Sequence, residues 1–240
     1  MKRVPAIVIA GPGTNRDGDV RTALELAGCD VRVVLASELI ESPWYLDDAR
    51  LAVVAGGFSY ADELGAGRLL ALDLTLGLGD RLHAFVDSGR PLVGICNGFQ
   101  VLTRTSLLPG ALGHNAQGHF DCRWVVLDPV ARSNSIWTKG LDAPIHCPIA
   151  HGEGRYVHPD PESLEAAGQV ALRYRSTNPN GSVADIAGVS DSTGRVLGLM
   201  PHPENHVVAR QHPHHQRGVG GAEHLGLRLF ENGVAYARQS

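Results

Sequence analysis

The chain has 240 residues, a formal net charge of −4 and 43% hydrophobic residues, a length and composition that favour one large α/β domain with a substantial core. The charge gives no electrostatic reason to expect binding to nucleic acid or to an anionic membrane. The apolar stretches are far shorter than the roughly 20 residues that span a bilayer, and the N-terminus leads directly into a strand without a signal peptide. We therefore expect a cytoplasmic protein whose thiols stay reduced.

The first hundred residues alternate between predicted strands and helices. Apolar runs predict strands at 4–10, 31–35, 51–55 and 91–95, and helical spacing occurs at 19–27, 64–86 and 98–107. Four glycines within 64–86 are candidate breaks in that long segment. This order predicts a three-layer fold with a mostly parallel central sheet and helices on both faces. In such sheets, active sites lie at the carboxyl ends of the strands.

The second half of the chain has a different pattern. Shorter strands are predicted at 123–127, 156–157, 170–174, 183–189 and 196–200, with turn sequences between them. Residues 206–221 are rich in His, Gly and Pro and predict a loop, and 224–238 predicts a closing helix. Because no repeat or linker separates the two halves, we predict a single domain over residues 1–240.

The four cysteines are widely separated and include no C-x-x-C pair, so they predict neither a disulfide framework nor a zinc ribbon. Cys29, Cys122 and Cys147 have no distinctive neighbours, and we interpret them as packing residues. Cys96 directly follows a predicted buried strand and precedes helical spacing, and this context sets it apart from the other three cysteines.

Cys96 lies between Gly94 and Gly98, in the G-x-nucleophile-x-G arrangement of a sharp strand-to-helix turn. Such a turn exposes the side chain at the end of the strand, and the helix N-terminus that follows favours a thiolate. The backbone N–H of Asn97 has no partner within the helix and is free to stabilise an oxyanion. The alternative is that Cys96 is one more small buried residue in a βα turn.

His202 and Glu204 follow the predicted strand at 196–200 and are the best candidates for a base and its orienting acid. The prolines at 201 and 203 favour an extended backbone, in which residues i and i+2 project to the same side. Taken alone, Pro-His-Pro-Glu is also typical of a surface turn. The combination is more informative, because nucleophile, histidine and acid each come just after a predicted strand.

Three further features lie near predicted strand ends. Gly57 belongs to a glycine pair that lets the backbone approach a ligand and offer a second oxyanion N–H, although paired glycines are common in turns. Gln100, one helical turn after Cys96, either binds a polar substrate or faces solvent. His151 and Glu153 belong to a glycine-rich segment that is either functional or simply solvated. No phosphate-binding loop is present, so we predict neither a nucleotide cofactor nor a metal on this chain.

The sequence resembles the class I, triad-type glutamine amidotransferases over residues 4–205. Within them it is most similar to the glutaminase subunits of phosphoribosylformylglycinamidine synthase, which serve purine biosynthesis. The resemblance is carried by the motifs GICNGFQ around Cys96, GGFSY at 56–60, AHGEGRY at 150–156, NPNGS at 178–182, IAG at 186–188 and MPHPE at 200–204. Together these motifs are specific to the group, whereas each one alone is not.

The resemblance implies a flavodoxin-like fold and a catalytic triad of Cys96, His202 and Glu204, with oxyanion amides from Gly57 and Asn97. It also implies that glutamine is hydrolysed and that ammonia passes to a separate synthetase subunit, often accompanied by a small third subunit. ATP and magnesium are then expected on the synthetase and not on this chain. The product would be formylglycinamidine ribonucleotide, made from formylglycinamide ribonucleotide.

The sequence departs from the family pattern at a few positions outside the chemistry. Ala55 replaces a proline, Ala61 replaces a glycine, and Asn205 replaces an arginine. The His-rich stretch 206–215 is also longer than in compact members of the family. We expect these changes to affect the shape of loops and the subunit interface.

Three alternatives to this function are compatible with parts of the sequence. The chain could serve a different biosynthetic synthetase with the same chemistry. It could bind metal through His202, His206, His212, His214 and His215, although prolines break their spacing. It could also be a catalytically idle protein on the same scaffold, in which case an electrophilic glutamine analogue would not label Cys96.

Overall fold

A computed structural model describes residues 2–239 of the chain. The strands are β1 Val4–Ala10, β2 Cys29–Leu35, β3 Leu51–Val54, β4 Leu92–Ile95, β5 Ala111–Gly113, β6 Asp121–Pro129, β7 Ile145–His151, β8 Arg155–Val157, β9 Val170–Tyr174, β10 Ile186–Ser190 and β11 Val196–Leu199. The α-helices are α1 Asp17–Ala27, α2 Ala36–Glu41, α3 Trp44–Asp48, α4 Arg68–Asp73, α5 Arg81–Asp87, α6 Asn97–Arg104, α7 Pro161–Ala166 and α8 Leu227–Ala237. The ends of the predicted domain, residues 1 and 240, lie outside the described range.

Within residues 2–239, nine strands form one central sheet in the order β2-β1-β3-β4-β11-β10-β9-β6-β7, and β5 pairs with β8 separately. Strands β2, β1, β3, β4 and β11 are parallel to one another, and only β10 and β6 run against the rest. The prediction of a mostly parallel sheet is therefore confirmed. Strand β4 lies in the interior of the sheet, between β3 and β11.

Helices cover both faces of this sheet. Every residue of β3 and of β4 is buried, and because neighbouring residues of a strand point to opposite faces, both faces must be covered. Helices α1 and α8 pack against each other, while α6 packs on β3, β4 and β11. One continuous hydrophobic cluster extends from Val4 to Ala237. No helix within residues 2–239 is long and apolar enough to cross a membrane.

The structure differs from the predicted elements in several places. The long helical segment predicted at 64–86 is divided into α4, a π-helical turn over Leu74–Leu78 and α5. Gly79, between the π-helical turn and α5, has positive φ. The short helices α2, α3 and α7 were not predicted, because each has too few residues to display helical periodicity.

Strand β7 was also missed, and its position explains why. It contains Pro148, which cannot donate a ladder hydrogen bond and therefore argues against a central strand. In the structure β7 pairs only with β6 and forms one edge of the sheet, where a proline is tolerated.

The turn after β3 has an unusual backbone. Tyr60, Ala61, Asp62 and Leu64 all have positive φ, between 52° and 62°, a region that costs roughly 1–2 kcal/mol for residues other than glycine. Ala61, with φ of 52°, is the position where the family pattern has glycine. The departure from the pattern therefore places an L-residue in a conformation that glycine would adopt without strain.

The His-rich segment 206–221 is not an open loop. His206 and His212 are buried, and both rings contact Trp124 of β6 edge-on, at centroid distances of 5.3 and 4.6 Å. His146 of β7 stacks on His224 at 4.4 Å. The first part of the segment therefore packs through His206 and His212 against the edge of the sheet that β6 and β7 form, whereas residues 213–219 are exposed.

Candidate active site

The nucleophile turn contains two glycines that cannot be replaced by a larger residue without moving the backbone. Cys96 has φ of 50° and ψ of −105°, an unfavourable conformation for an L-residue. A methyl group on Gly94 would lie 2.5 Å from the carbonyl oxygen of Gly98, and one on Gly98 would collide with the carbonyl oxygen of Val54. The sharp turn thus depends on close backbone contact at both glycines, as the sequence pattern predicts. Cys96 is left at the end of β4, with 5% of its surface exposed.

Strand β7 places the other residues around the thiol. The carbonyl oxygens of alternate residues on an edge strand point away from the sheet. In β7, the His146 carbonyl accepts from Nδ1 of His206 at 2.7 Å, and the Pro148 carbonyl accepts the backbone N–H of His202 at 2.8 Å. The Ala150 carbonyl lies 3.8 Å from Sγ of Cys96. One row of carbonyls therefore sets the position of both histidines relative to the cysteine.

His202 and Glu204 form a buried pair. Nδ1 of His202 lies 2.7 Å from Oε1 of Glu204, and the two residues are only 2% and 1% exposed. The predicted proximity is correct, but the extended backbone proposed for it is not, because Pro203–Asn205 forms a short 3-10 turn. This turn brings the Glu204 carboxylate back towards the imidazole.

The imidazole of His202 also faces the nucleophile. A methyl group on Gly56 would lie 2.9 Å from Cε1 of His202 and 3.4 Å from Cβ of Cys96, so the two side chains flank the same point. Burial by itself lowers the pKa of His202. The charges of Glu204 and Cys96 and the hydrogen bonds to both raise it by a larger amount, so that the pKa is about 10. At neutral pH the imidazole therefore holds a proton beside the sulphur.

Of the two predicted oxyanion donors, Asn97 follows Cys96 in the chain and Gly57 lines the same cleft. Asn97 is the first residue of α6, where backbone N–H groups lack partners within the helix. Gly57 lines the same cleft as Cys96 and has φ of 134°, a conformation that requires glycine. The Asn97 side chain is held in place by Ser59, whose hydroxyl donates to its Oδ1 at 2.6 Å.

Gln100 is buried and does not face solvent. Its Nε2 donates to the backbone carbonyl of Glu153 at 2.7 Å, and its Oε1 accepts from Nδ2 of Asn97 at 3.1 Å. The side chain lines the cleft, and it also fixes the 150–156 segment to the helix that carries the nucleophile.

Cys96 lies in a cleft with a volume of about 260 Å³, which is less than the roughly 300–1,000 Å³ typical of sites for drug-sized ligands. It is lined by Gly57, Phe58, Asp62, Ala66, Cys96, Gln100, His114, Gly118, His119, Phe120, Ala150, His151, Gly152 and Glu153. A larger groove of about 490 Å³ lies beside β1 and β2 and contains none of the predicted catalytic residues. The smaller cleft is suited to a substrate the size of an amino acid.

His151 is part of a buried network that the sequence did not predict. Its Nδ1 lies 3.1 Å from Oδ1 of Asn115, and its Nε2 lies 3.5 Å from Nδ2 of Asn180. Asn180 also donates to the carbonyl of Gly154 at 2.7 Å. Burial and the charge of His202 lower the pKa of His151 to about 4, so the ring is neutral at pH 7. The network fixes the position of His151, which lines the cleft, through Asn115 and Asn180, which do not line it.

Of the histidines named in the metal-binding alternative, His206, His212 and His214 lie together, with ring centroids 5.5 and 5.9 Å apart along that series. His202 pairs with Glu204, whereas His206 and His212 pack on Trp124. In the part of the chain that the structure describes, no group of three His, Cys, Asp or Glu residues is arranged to hold a metal ion.

Comparison with known proteins identifies relatives across the whole length of the chain. The profile of the CobB/CobQ-like glutamine amidotransferase domain matches residues 3–237. The PurQ subunit of phosphoribosylformylglycinamidine synthase from Treponema denticola is 45% identical, with 96% of this chain and 98% of the relative covered. The PurQ subunit from Dehalococcoides mccartyi is 38% identical, with 100% of both chains covered.

A solved structure gives the same result. A chain in the structure of PurLQS from Thermotoga maritima matches with a TM-score of 0.80 and 35% identity, covering 98% of this chain and 99% of that one. A glutamine amidotransferase from the same organism matches with a TM-score of 0.63 at 16% identity, which is evidence for the fold alone. The chain therefore belongs to the CobB/CobQ-like glutamine amidotransferase family, among relatives that are PurQ subunits of phosphoribosylformylglycinamidine synthase.

Proposed function

We propose that this chain is the glutaminase subunit of a phosphoribosylformylglycinamidine synthase, with Cys96 as nucleophile, His202 as acid and base, and Glu204 as the orienting carboxylate. The observation that carries the proposal is the buried 2.7 Å contact between His202 and Glu204 beside a cysteine in a strained strand-to-helix turn. The full-length relatives support the same activity.

The first half of the reaction forms a thioester. The sulphur of Cys96 attacks the side-chain carboxamide carbon of glutamine, and the carbonyl oxygen becomes an oxyanion that accepts hydrogen bonds from the N–H groups of Asn97 and Gly57. The intermediate then collapses as the C–N bond breaks. His202 gives its proton to the departing nitrogen, so that ammonia leaves and a γ-glutamyl thioester remains.

The second half of the reaction regenerates the enzyme. His202, now neutral, takes a proton from a water molecule that attacks the thioester carbon. The C–S bond then breaks, glutamate is released, and the proton taken from water remains on His202 beside the freed sulphur of Cys96. The negative charge of Glu204 stabilises the imidazolium in both halves and fixes which ring nitrogen carries the transferable proton.

The ammonia then serves a second active site. Free ammonia is protonated in water, so it must pass through a dry passage to the synthetase subunit. There an ATP-dependent reaction converts formylglycinamide ribonucleotide to formylglycinamidine ribonucleotide. We propose that ATP and magnesium bind the synthetase, that a small third subunit joins the complex, and that the reaction takes place in the cytoplasm. The PurLQS assembly of the Thermotoga maritima relative supports a complex of this kind.

The test compares wild type with Cys96→Ser, each with and without the synthetase subunit. We expect Cys96→Ser to abolish turnover with glutamine, while added ammonia still supports the synthetase, because the second site is intact. The matched control is Cys122→Ser, which changes an exposed free cysteine and should leave both activities unchanged. Glutamine-dependent turnover by Cys96→Ser would overturn the assignment of the nucleophile.

The choice of synthetase is tested separately. Transfer of ammonia from glutamine is measured with the phosphoribosylformylglycinamidine synthetase chain and with unrelated ATP-dependent synthetases. Transfer that occurs only to an unrelated chain would support the alternative of a different partner.

A further inference from the structure

Two carboxylates face the cleft that contains Cys96. Asp62 comes from the strained turn after β3, and Glu153 comes from the segment after β7. Both are partly buried. No lysine or arginine lines the cleft, whose other titratable side chains are Cys96 and three histidines at 114, 119 and 151. The cleft therefore carries negative charge on its walls.

Each carboxylate-bearing residue is tied to the first turn of α6, which begins at the nucleophile. Asn97, next to Cys96, points its Nδ2 at Oδ1 of Asp62, 3.5 Å away. Gln100, one turn further on, donates to the backbone carbonyl of Glu153 at 2.7 Å. These contacts fix the positions of both acidic residues relative to the sulphur.

Neither carboxylate has a cationic partner within ion-pair distance in residues 2–239, although Arg68 and Arg104 both lie near Glu153. Their hydrogen bonds are long, at 3.5 Å from Asn97 to Asp62 and 3.4 Å from the backbone N–H of Ala66 to Glu153. Arg104 is close enough for its charge to interact with Glu153, but it does not line the cleft. Burial and the charge of Glu153 raise the pKa of Asp62, because two like charges share the site. A cation between them would relieve this repulsion.

We propose that Asp62 and Glu153 bind the α-ammonium group of glutamine and so select amino-acid substrates, while Cys96 attacks the carboxamide at the other end. The proposal rests on the glutaminase function argued above, since the nucleophile fixes one end of the substrate. The ammonium group offers charged donors, whereas in the free protein each carboxylate accepts one long hydrogen bond from an uncharged donor. Because contacts with α6 fix both acidic residues, the distance from their carboxylates to the sulphur would select the length of the substrate.

The substrate glutaramate tests this selection. It keeps the carboxamide and the carboxylate of glutamine but has no ammonium group. Because loss of a hydrogen bond to a charged group costs about tenfold to a hundredfold in binding, wild type should have a kcat/KM for glutaramate at least about tenfold below that for glutamine. The readout is ammonia released per active site, measured on the chain together with its synthetase subunit.

The variants are Asp62→Asn, Glu153→Gln and the double variant, all close in shape to the original side chains. In the double variant we expect KM for glutamine to rise at least about tenfold, while kcat/KM for glutaramate stays within about threefold of wild type. The matched control is Glu63→Gln, which removes an exposed carboxylate from the same turn and should change neither value. Melting temperature is measured on every variant.

Three outcomes overturn the inference. The variants could keep the wild-type preference for glutamine over glutaramate. They could lose activity with both substrates in equal proportion, which indicates a purely structural role. Wild type could release no ammonia from glutamine at all, in which case the proposed function and the ammonium site fail together; only the first two outcomes leave the glutaminase function standing.

Discussion

Nδ1 of His202 lies 2.7 Å from Oε1 of Glu204, while Oε2 of the same buried carboxylate has no hydrogen-bond partner within residues 2–239. A buried carboxylate is costly unless a charged partner compensates it. The imidazolium of His202 is that partner, and its charge is in turn stabilised by Glu204. The two residues therefore act as a unit, and removing either charge leaves the other uncompensated.

The first prediction concerns Glu204→Gln. The amide can still accept a hydrogen bond, but the negative charge is lost, so the pKa of His202 should fall from about 10. We expect kcat for glutamine hydrolysis to fall by roughly 10²–10⁴-fold, as for the loss of the acid in other triads. NMR titration of the His202 ring measures the pKa directly. An unchanged titration together with unchanged kcat would contradict the role of Glu204.

A second prediction concerns the nucleophile turn. In Gly98→Ala the new methyl group would collide with the carbonyl oxygen of Val54, so the turn must open and Cys96 must move. We expect a loss of about 1–3 kcal/mol in unfolding free energy and a strong loss of glutaminase activity. Urea unfolding and turnover measure these effects. The control is Gly113→Ala, where nothing lies within 4 Å of the added methyl group and φ is not positive.

The left-handed turn after β3 gives a third prediction. Ala61 has φ of 52°, so Ala61→Gly should stabilise the folded protein by about 1–2 kcal/mol through loss of strain. The greater entropy of glycine in the unfolded chain should offset about 0.5–1 kcal/mol of this gain. The net effect should be neutral to stabilising in urea unfolding. The control Ala235→Gly, at an exposed position of α8, should destabilise by about 1 kcal/mol. Equal destabilisation by both changes would refute the strain at residue 61.

A fourth prediction follows from the neutral state of His151. Burial lowers its pKa to about 4 in the folded protein, whereas the unfolded value is about 6.5. Between these values the unfolded chain binds more protons, so stability is fully present above pH 6.5 and declines as the pH falls towards 4. His202 does not change the stability in this window, because the stabilisation from its raised pKa is fully present below pH 6.5 and is lost only as the pH rises from 6.5 towards 10.

The variant His151→Gln tests this pH dependence. It lacks the titrating ring, so its unfolding free energy should fall less steeply than that of wild type between pH 6.5 and 4. The difference between the two falls should approach about 3 kcal/mol at most. Comparing slopes removes the constant loss that the substitution causes at neutral pH. Parallel curves for the two proteins would indicate that His151 titrates normally.

The proximity of Cys96, His202 and Glu204 could be predicted from the sequence because each follows a strand, and parallel strands bring their carboxyl ends to one edge. Cys96 follows β4 and His202 follows β11, and these strands are neighbours in the sheet. The His151 network could not be predicted, because Asn115 and Asn180 come from distant turns that carry no periodic signal. The backbone at Glu204 was predicted wrongly as extended, since the flanking prolines are equally compatible with a tight turn.

Strand β7 could not be recognised for a related reason. Strand β7 acts through its outward-facing backbone carbonyl groups, and every residue type carries the same carbonyl group. Side-chain pattern therefore gave no sign that this strand aligns His202 and His206 with the thiol.

The hydrogen-bonded carbonyls of β7 also affect the tendency of separate copies of the chain to associate through this sheet edge. An open sheet edge invites a strand from another chain, and proteins protect such edges with prolines or covering segments. Here Pro148 presents no donor, and residues 202–206 occupy the outward carbonyls of His146 and Pro148. The stretch of chain that carries the proposed base and its carboxylate thus also covers this sheet edge, so damage that frees it should lower solubility together with turnover.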